Sequence, residues 1–156
     1  MDPKTAFMFG ARRDNAGYPY IGFGVDDDPF IVWQMSVTLT DNCLNHASRC
    51  RFTMMHADAT IKISDLGYQV IKCGFTDQSR TYQLADVFVV SQKVVRDYGL
   101  FFGNLVARFR DVWGRSIRVG AVMGDAEDAQ ANSLVSVQEL SKSRLLMCFF
   151  HVLYNV

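Results

Sequence analysis

The alternation of apolar and polar residues predicts three consecutive strands in the middle of the chain. Residues 53–63 alternate between two faces, with Ala57 on one face and Asp58 on the other. Two further apolar stretches of strand length follow, at residues 67–77 and 82–91. The connectors between these stretches are short, which favours antiparallel hairpins.

The apolar period then changes from that of a strand to that of a helix. Apolar residues recur at helical spacing over residues 94–113, and Gly114 follows where a helix would end. Residues 117–123 predict a fourth strand, and residues 125–140 predict a second helix. Residues 144–152 are almost wholly apolar, which predicts a strand buried on both faces.

The predicted order is strand, strand, strand, helix, strand, helix, strand. A meander followed by alternating helices and strands indicates an α/β fold, in which helices pack on a mixed sheet. Residues 1–50 differ in composition from the rest of the chain, because they hold all three prolines and an acidic run at residues 26–28. We expect a loop-rich segment there, with one strand at residues 30–37, leading into a core at residues 51–156.

The composition of the chain limits the classes of protein to which it can belong. The chain has 156 residues, of which 49% are hydrophobic, so it forms one domain with a sizeable core. Sixteen basic and sixteen acidic residues give zero net charge, which excludes a global attraction to DNA or membranes but not a local basic patch. No apolar run spans a bilayer and no signal peptide is evident. We therefore expect a soluble intracellular protein whose four cysteines are reduced.

Two aspartates are the first candidates for residues with a chemical function. Asp58 lies within an otherwise apolar strand, and Asp125 follows another strand directly after Gly124. An ionised carboxylate in a sheet is costly unless it is paired or bound to metal, and carboxylates at neighbouring strand ends suit Mg²⁺. Two such ions about 4 Å apart support phosphodiester cleavage. The alternative is structural: Asp125 caps its helix, and Asp58 pairs with Lys62 or His56.

Ordered motifs resemble a known family. Residues 56–63, HADATIKI, resemble the first strand of Mutator-like (MULE) transposase domains, in which a His-x-Asp-Ala-Thr segment supplies the first catalytic aspartate. Residues 67–77 and 80–91 resemble that family's next two strands, and residues 123–130, MGDAEDAQ, are similar to its second-aspartate segment. Residues 145–152, LLMCFFHV, resemble its Cys-x-x-His strand, so the motifs occur in the family's order.

The resemblance implies a ribonuclease-H-like fold and DDE-type DNA transposition, a metal-dependent phosphodiester hydrolysis followed by strand transfer. Carried over by position, Asp58 and Asp125 are catalytic acids and metal ligands, and Cys148 and His151 are the Cys-x-x-His pair. The implied cofactor is Mg²⁺ or Mn²⁺, and the implied partner is the double-stranded DNA of transposon ends. A nuclear location and a homo-oligomer are further expectations, and no membrane partner is expected.

One departure limits the expected activity. The family's third acid lies on a helix beyond the Cys-x-x-His strand, and no residue here matches it. Glu127, Asp128 and Glu139 follow Asp125 too closely and are interpreted as solvated or capping residues. We therefore expect the chain to be a fragment of a transposase core, C-terminally incomplete and inactive alone. The alternative is a catalytically inactive, transposase-derived remnant that binds DNA or another partner.

Two other groups of residues suggest binding. Their members are Cys43, His46, Cys50 and His56 in one group and Arg108, Arg110, Arg115 and Arg118 in the other. The cysteine and histidine group has spacings that a zinc site tolerates, which would make the chain a small zinc-binding protein, although residues 36–48 also fit a helix.

The arginine group is a local basic excess that suits DNA phosphates, but arginines near a helix C-terminus are also favoured by the helix dipole. The Cys148–His151 pair is an unsuitable chelate on a regular strand, where residues three apart face opposite sides.

Overall fold

A computed structural model describes residues 2–8, 12–49, 52–60, 65, 67–76, 80–125, 127–149 and 153. The elements of these residues are β1 (Phe7–Met8), β2 (Arg12–Arg13), β3 (Pro19–Tyr20), β4 (Ile31–Met35), α1 (Val37–Arg49), β5 (Met54–Thr60), β6 (Gln69–Thr76), β7 (Tyr82–Val90), α2 (Val95–Trp113), β8 (Ala121–Gly124), α3 (Asp128–Ser136) and β9 (Arg144–Met147). From β5 onward their order is the predicted one.

Seven strands form one mixed sheet in the order β1-β4-β7-β6-β5-β8-β9. The three middle strands β5, β6 and β7 pair antiparallel, as their short connectors predicted, whereas β8 and β9 are parallel to β5. The prediction of an α/β fold with a mixed sheet is therefore confirmed. The parallel part of the sheet brings the carboxyl ends of β5, β8 and β9 to one edge.

Alternate strand residues meet the helices in one apolar core. Trp33 on β4 stacks on Phe88 of β7, and Phe88 stacks on Phe101 of α2, with ring centroids 5.3 and 4.8 Å apart. Complete burial of such a side chain stabilises the fold by about 1.5–3 kcal/mol, so this stack fixes α2 across the sheet. The intervening residues of β5, His56 and Asp58, are only half-buried on the other face.

Helix α2 forms where the apolar period predicted it. Its buried side chains recur at helical spacing, and Gly114 ends it with φ +61°, a conformation that glycine adopts without steric cost. The Gly114 N–H bonds the Arg110 carbonyl at 2.8 Å and so satisfies one terminal acceptor.

The first 50 residues contribute more regular structure than predicted. Strand β4 confirms the strand expected near residues 30–37, and it pairs along its whole length with β7 of the central meander. Helix α1 follows at once, which confirms the helical alternative for residues 36–48. Its Cys43 and Leu44 are buried in the core. This segment therefore belongs to the sheet and is not only a loop-rich approach to it.

Two predicted elements are shorter in the structure. Strand β8 covers only the last part of the stretch predicted at residues 117–123, although Ile117 and Val119 before it are buried. Helix α3 begins at Asp128 with Glu127 at its N-cap, so the prediction of a helix from residue 125 was wrong. It ends at Ser136, because Val137 takes an extended conformation and a turn follows.

The prediction of a strand buried on both faces at residues 144–152 was wrong. Strand β9 ends at Met147, and all four of its residues are exposed. Among the described residues it pairs with β8 alone, at the end of the sheet, and the described helices leave it exposed. Cys148 follows the strand and Phe149 is already helical, so neither of these two residues lies in the predicted strand; residues 150–152, including His151, lie outside the described residues.

None of the helices in the described part of the chain is long and apolar enough to cross a membrane.

Candidate functional site

The parallel pairing of β5 with β8 places the two predicted acids at one edge of the sheet. Its register ends with Ala57 opposite Gly124, and Asp58 and Asp125 are the next residue along each strand. Neighbouring strands lie about 4.8 Å apart, so the two aspartates occupy matching positions on two adjacent chain segments. The strands that carry them are thus neighbours, as the family resemblance requires.

Both carboxylates are partly withdrawn from water. Asp125 is only 7% exposed and Asp58 is half-buried, and the Oδ1 atom of each is enclosed. Asp125 lies two residues before the N-cap of α3, which Glu127 occupies. Across the β5–β6 pair, the register partner of Asp58 is Lys72.

A third carboxylate, that of Glu127, acts on the Tyr98 hydroxyl together with this pair. The Tyr98 hydroxyl of α2 donates a hydrogen bond to Glu127 Oε2 at 3.1 Å, and Lys93 Nζ forms an ion pair with Glu127 Oε1. Burial raises the pKa of Tyr98 above its ordinary value, and the negative charges of Glu127, Asp125 and Asp58 raise it further. The Tyr98 hydroxyl therefore lies within electrostatic range of all three carboxylates.

The structure changes the interpretation of Glu127. It occupies the N-cap of α3, yet its side chain makes no capping bond and is held by Lys93 and Tyr98. No pattern along the chain predicts this contact, because Tyr98 also belongs to the apolar stripe of α2 and Lys93 is a lone basic residue in a connector.

The donor set suits one divalent cation better than two. Asp58 and Asp125 offer hard carboxylate oxygens from adjacent strands, the ligand type that Mg²⁺ prefers. Among the described residues, however, no group of three or more His, Cys, Asp or Glu side chains is arranged to hold a metal ion. Glu127 is engaged by Lys93, which neutralises its charge.

His56 lies on the same strand face as Asp58. Its Nε2 atom hydrogen-bonds Thr76 Oγ1 of β6, and its ring packs edge-on against Tyr82, with centroids 5.8 Å apart. Burial lowers the pKa of His56, and the nearby charge of Asp58 opposes that effect. The imidazole is therefore biased toward its neutral form beside the carboxylates.

The predicted zinc ligands that the structure describes do not form a metal-binding group. The Sγ atom of Cys43 lies 3.6 Å from the Gln83 carbonyl oxygen, and burial raises the pKa of its thiol to about 12. A thiol that stays protonated is a poor zinc ligand. His46 and His56 form no metal-binding group with it in the described chain, and Cys50 lies outside the described residues.

The four predicted DNA-contacting arginines divide into two pairs. Arg108 lies 3.7 Å from Asp111, and Arg110 lies 3.5 Å from Glu139, so acids partly neutralise both. Arg115 and Arg118 are exposed in the segment that follows α2. Arg110 is exposed as well, so the two pairs differ in their acidic neighbours and not in exposure alone.

Comparison of the chain with protein-family models, with curated proteins and with solved structures gives no match.

Proposed function

We propose that this chain carries the first two acids of a ribonuclease-H-like, DDE-type transposase core of the Mutator-like family. The substrate class is double-stranded DNA, and the reaction of such a core is metal-dependent phosphodiester hydrolysis followed by strand transfer. The observation that carries the proposal is the parallel pairing of β5 with β8, which ends one residue before Asp58 and Asp125.

Three features of the fold support this assignment. An antiparallel meander precedes alternating helices and strands, as the family resemblance implies. The residue after Ala57 and the residue after Gly124 are both aspartates, although strands disfavour aspartate. The Tyr98 hydroxyl is within electrostatic range of both. Two acids that are 67 positions apart in sequence therefore reach the same edge of the sheet.

Asp58 and Asp125 are the residues that would hold Mg²⁺ or Mn²⁺. When bound, such an ion supplies Lewis-acid stabilisation of charge on phosphate oxygens. The chain's own contribution is to fix the two carboxylates on rigid neighbouring strands and to enclose one oxygen of each. The metal-binding side chains of the described residues are too few to hold a second ion. We therefore assign no part of the reaction to a second ion.

A metal titration tests the proposal. We expect Mn²⁺ to raise the melting temperature of the chain, and we expect Asp58→Asn and Asp125→Asn each to abolish that rise. Asp128→Asn is the matched control, because Asp128 is exposed in the first turn of α3. An experimental structure should place the Asp58 and Asp125 carboxylates about 4–8 Å apart, the span that one hydrated ion bridges. A separation above about 12 Å would contradict both the site and the family assignment.

The alternative is a remnant that keeps the fold and has lost the chemistry. The observation that favours it is the Lys93–Glu127 ion pair, which places a positive side chain beside the acids. Binding of DNA without any response to Mn²⁺, in wild type and in Asp58→Asn alike, would favour this alternative.

A further inference from the structure

The buried side chain of Gln130 touches both strands one residue before the two acids. It extends from α3 and is 0% exposed, and its Nε2 donates a hydrogen bond to the Ala57 carbonyl at 2.8 Å. Its amide also lies against Gly124, where a Cβ atom would come 2.1 Å from Oε1. Ala57 and Gly124 are register partners in the β5–β8 pair, so one amide spans that pair.

Burial of this amide is unfavourable by itself. Within the described residues Oε1 accepts no hydrogen bond, and an unsatisfied buried polar group destabilises a fold. An apolar side chain would avoid that cost at a position enclosed in the core. Polar groups kept against such a cost are concentrated at sites that need a defined geometry.

Glycine at position 124 is part of the same arrangement. Any larger side chain would occupy the place of the Gln130 amide, since Cδ and Nε2 would also lie 2.5 Å from an added Cβ. The glutamine and the glycine thus fit each other across α3 and β8.

We propose that Gln130 is a positioning residue that sets the spacing of Asp58 and Asp125. It acts through the backbone: the bond to the Ala57 carbonyl fixes β5 just before Asp58, and contact with Gly124 fixes β8 just before Asp125. Because Gln130 also anchors the first turn of α3, the connection from Asp125 to that helix is held at both ends. This inference rests on the proposed function for the use of the carboxylates, but not for the geometry itself.

Gln130→Met tests the inference, because methionine has a similar length and volume but no N–H donor. Mutation of side chains that hold metal ligands in place typically weakens metal affinity about 10–100-fold. We therefore expect Gln130→Met to bind Mn²⁺ at least about tenfold more weakly than wild type. The electron paramagnetic resonance signal of free Mn²⁺ measures this affinity. Gln138→Met, at an exposed position after α3, should bind as wild type does.

Hydrogen exchange provides a readout without metal. In Gln130→Met we expect faster amide exchange at residues 121–125 and 128–131, with β6 and β7 unchanged. A role confined to overall stability would accelerate exchange at the globally protected amides of β6 and β7 as well. Gly124→Ala should reproduce the local pattern by displacing the glutamine amide, and Gly124→Ala combined with Gln130→Ala should be less than additive.

The outcomes separate the two proposals. If wild type fails to bind Mn²⁺ but Gln130→Met shows the local exchange pattern, the proposed function fails and the positioning role stands. Two results would overturn the positioning role. One is faster exchange in Gln130→Met at all protected amides, those of β6 and β7 included. The other is a Gln130→Met variant that matches wild type in both amide exchange and Mn²⁺ affinity.

Discussion

Lys93 Nζ forms an ion pair with Glu127 Oε1, which joins the connector before α2 to the N-cap of α3. The partners are 34 residues apart, and both side chains keep some exposure, 23% for Lys93 and 31% for Glu127. Partly exposed pairs of this kind contribute about 0–1 kcal/mol to stability. The pair matters more for the local charge, since it offsets one of three carboxylates around Tyr98.

Removal of that positive charge should strengthen cation binding. We expect Lys93→Met to lower the dissociation constant for Mn²⁺ several-fold, because Glu127 is then an uncompensated negative charge close to Asp125. The free energy of unfolding should change by less than about 1 kcal/mol. Lys142→Met is the control, since Lys142 is exposed in the turn before β9. Equal affinities in both variants would show that the ion pair does not act on the site.

Asp86 should make stability fall as pH rises. It lies on β7 opposite Cys73, only 1% exposed, and burial raises its pKa well above the ordinary value of 3.8. The folded state therefore keeps its proton while the unfolded state loses it, so this stabilisation is complete below pH 3.8 and declines above it.

Asp86→Asn should then raise the free energy of unfolding at pH 7 by about 1–3 kcal/mol, the range for a buried polar group. Urea titrations between pH 4 and pH 8 measure the difference from wild type, which should grow with pH until the folded-state carboxyl ionises. The exposed Asp111→Asn serves as the comparison. A difference that is constant over this range would show that Asp86 does not titrate abnormally.

The chain alone should not cleave DNA efficiently. Two carboxylates supply two negative charges, whereas two divalent cations carry four positive charges, and no group of three metal-binding side chains forms among the described residues. Nicking of supercoiled plasmid with Mg²⁺ or Mn²⁺ measures this activity. Robust cleavage that Asp58→Asn abolishes would mean that another ligand completes the site.

The edge of the sheet at β9, which the described residues leave uncovered, should promote self-association. Leu145 and Met147 on β9 are 41% and 60% exposed, and an apolar edge strand pairs readily with another chain. We expect wild type to form oligomers in sedimentation velocity experiments and the double variant Leu145→Lys/Met147→Lys to be monomeric. Val135→Lys, at another exposed apolar position, should leave association unchanged. A monodisperse wild-type monomer would contradict this prediction.

Arg115 and Arg118 should carry more of the DNA affinity than Arg110. All three are exposed, but Arg110 has Glu139 at 3.5 Å, which offsets part of its charge. Each phosphate contact contributes about 0.9 to the slope of log affinity against log salt, so Arg115→Ala/Arg118→Ala should reduce that slope by up to about 1.8. Fluorescence anisotropy with duplex DNA at several salt concentrations measures it. An equal loss in Arg110→Ala would show that the ion pair with Glu139 does not reduce the contribution of Arg110.

Local patterns along the chain were enough to predict several of the helices and strands. The helical period and Gly114 predicted α2, and alternation predicted β5, β6 and β7, because a side chain's face depends only on its position along its own element. The sequence also singled out Asp58 and Asp125, since a carboxylate in or directly after a strand is unfavourable without a reason.

Tertiary structure decided what depends on partners distant in sequence. The exposure of β9 follows from its place at the end of the sheet, although the apolar run at residues 144–152 predicted burial on both faces. The contacts of Glu127 with Lys93 and Tyr98, and of Gln130 with Ala57, exist because α3 packs against elements 29–73 residues away. Composition and periodicity describe one element at a time, and neither carries the register between strands that brings such residues together.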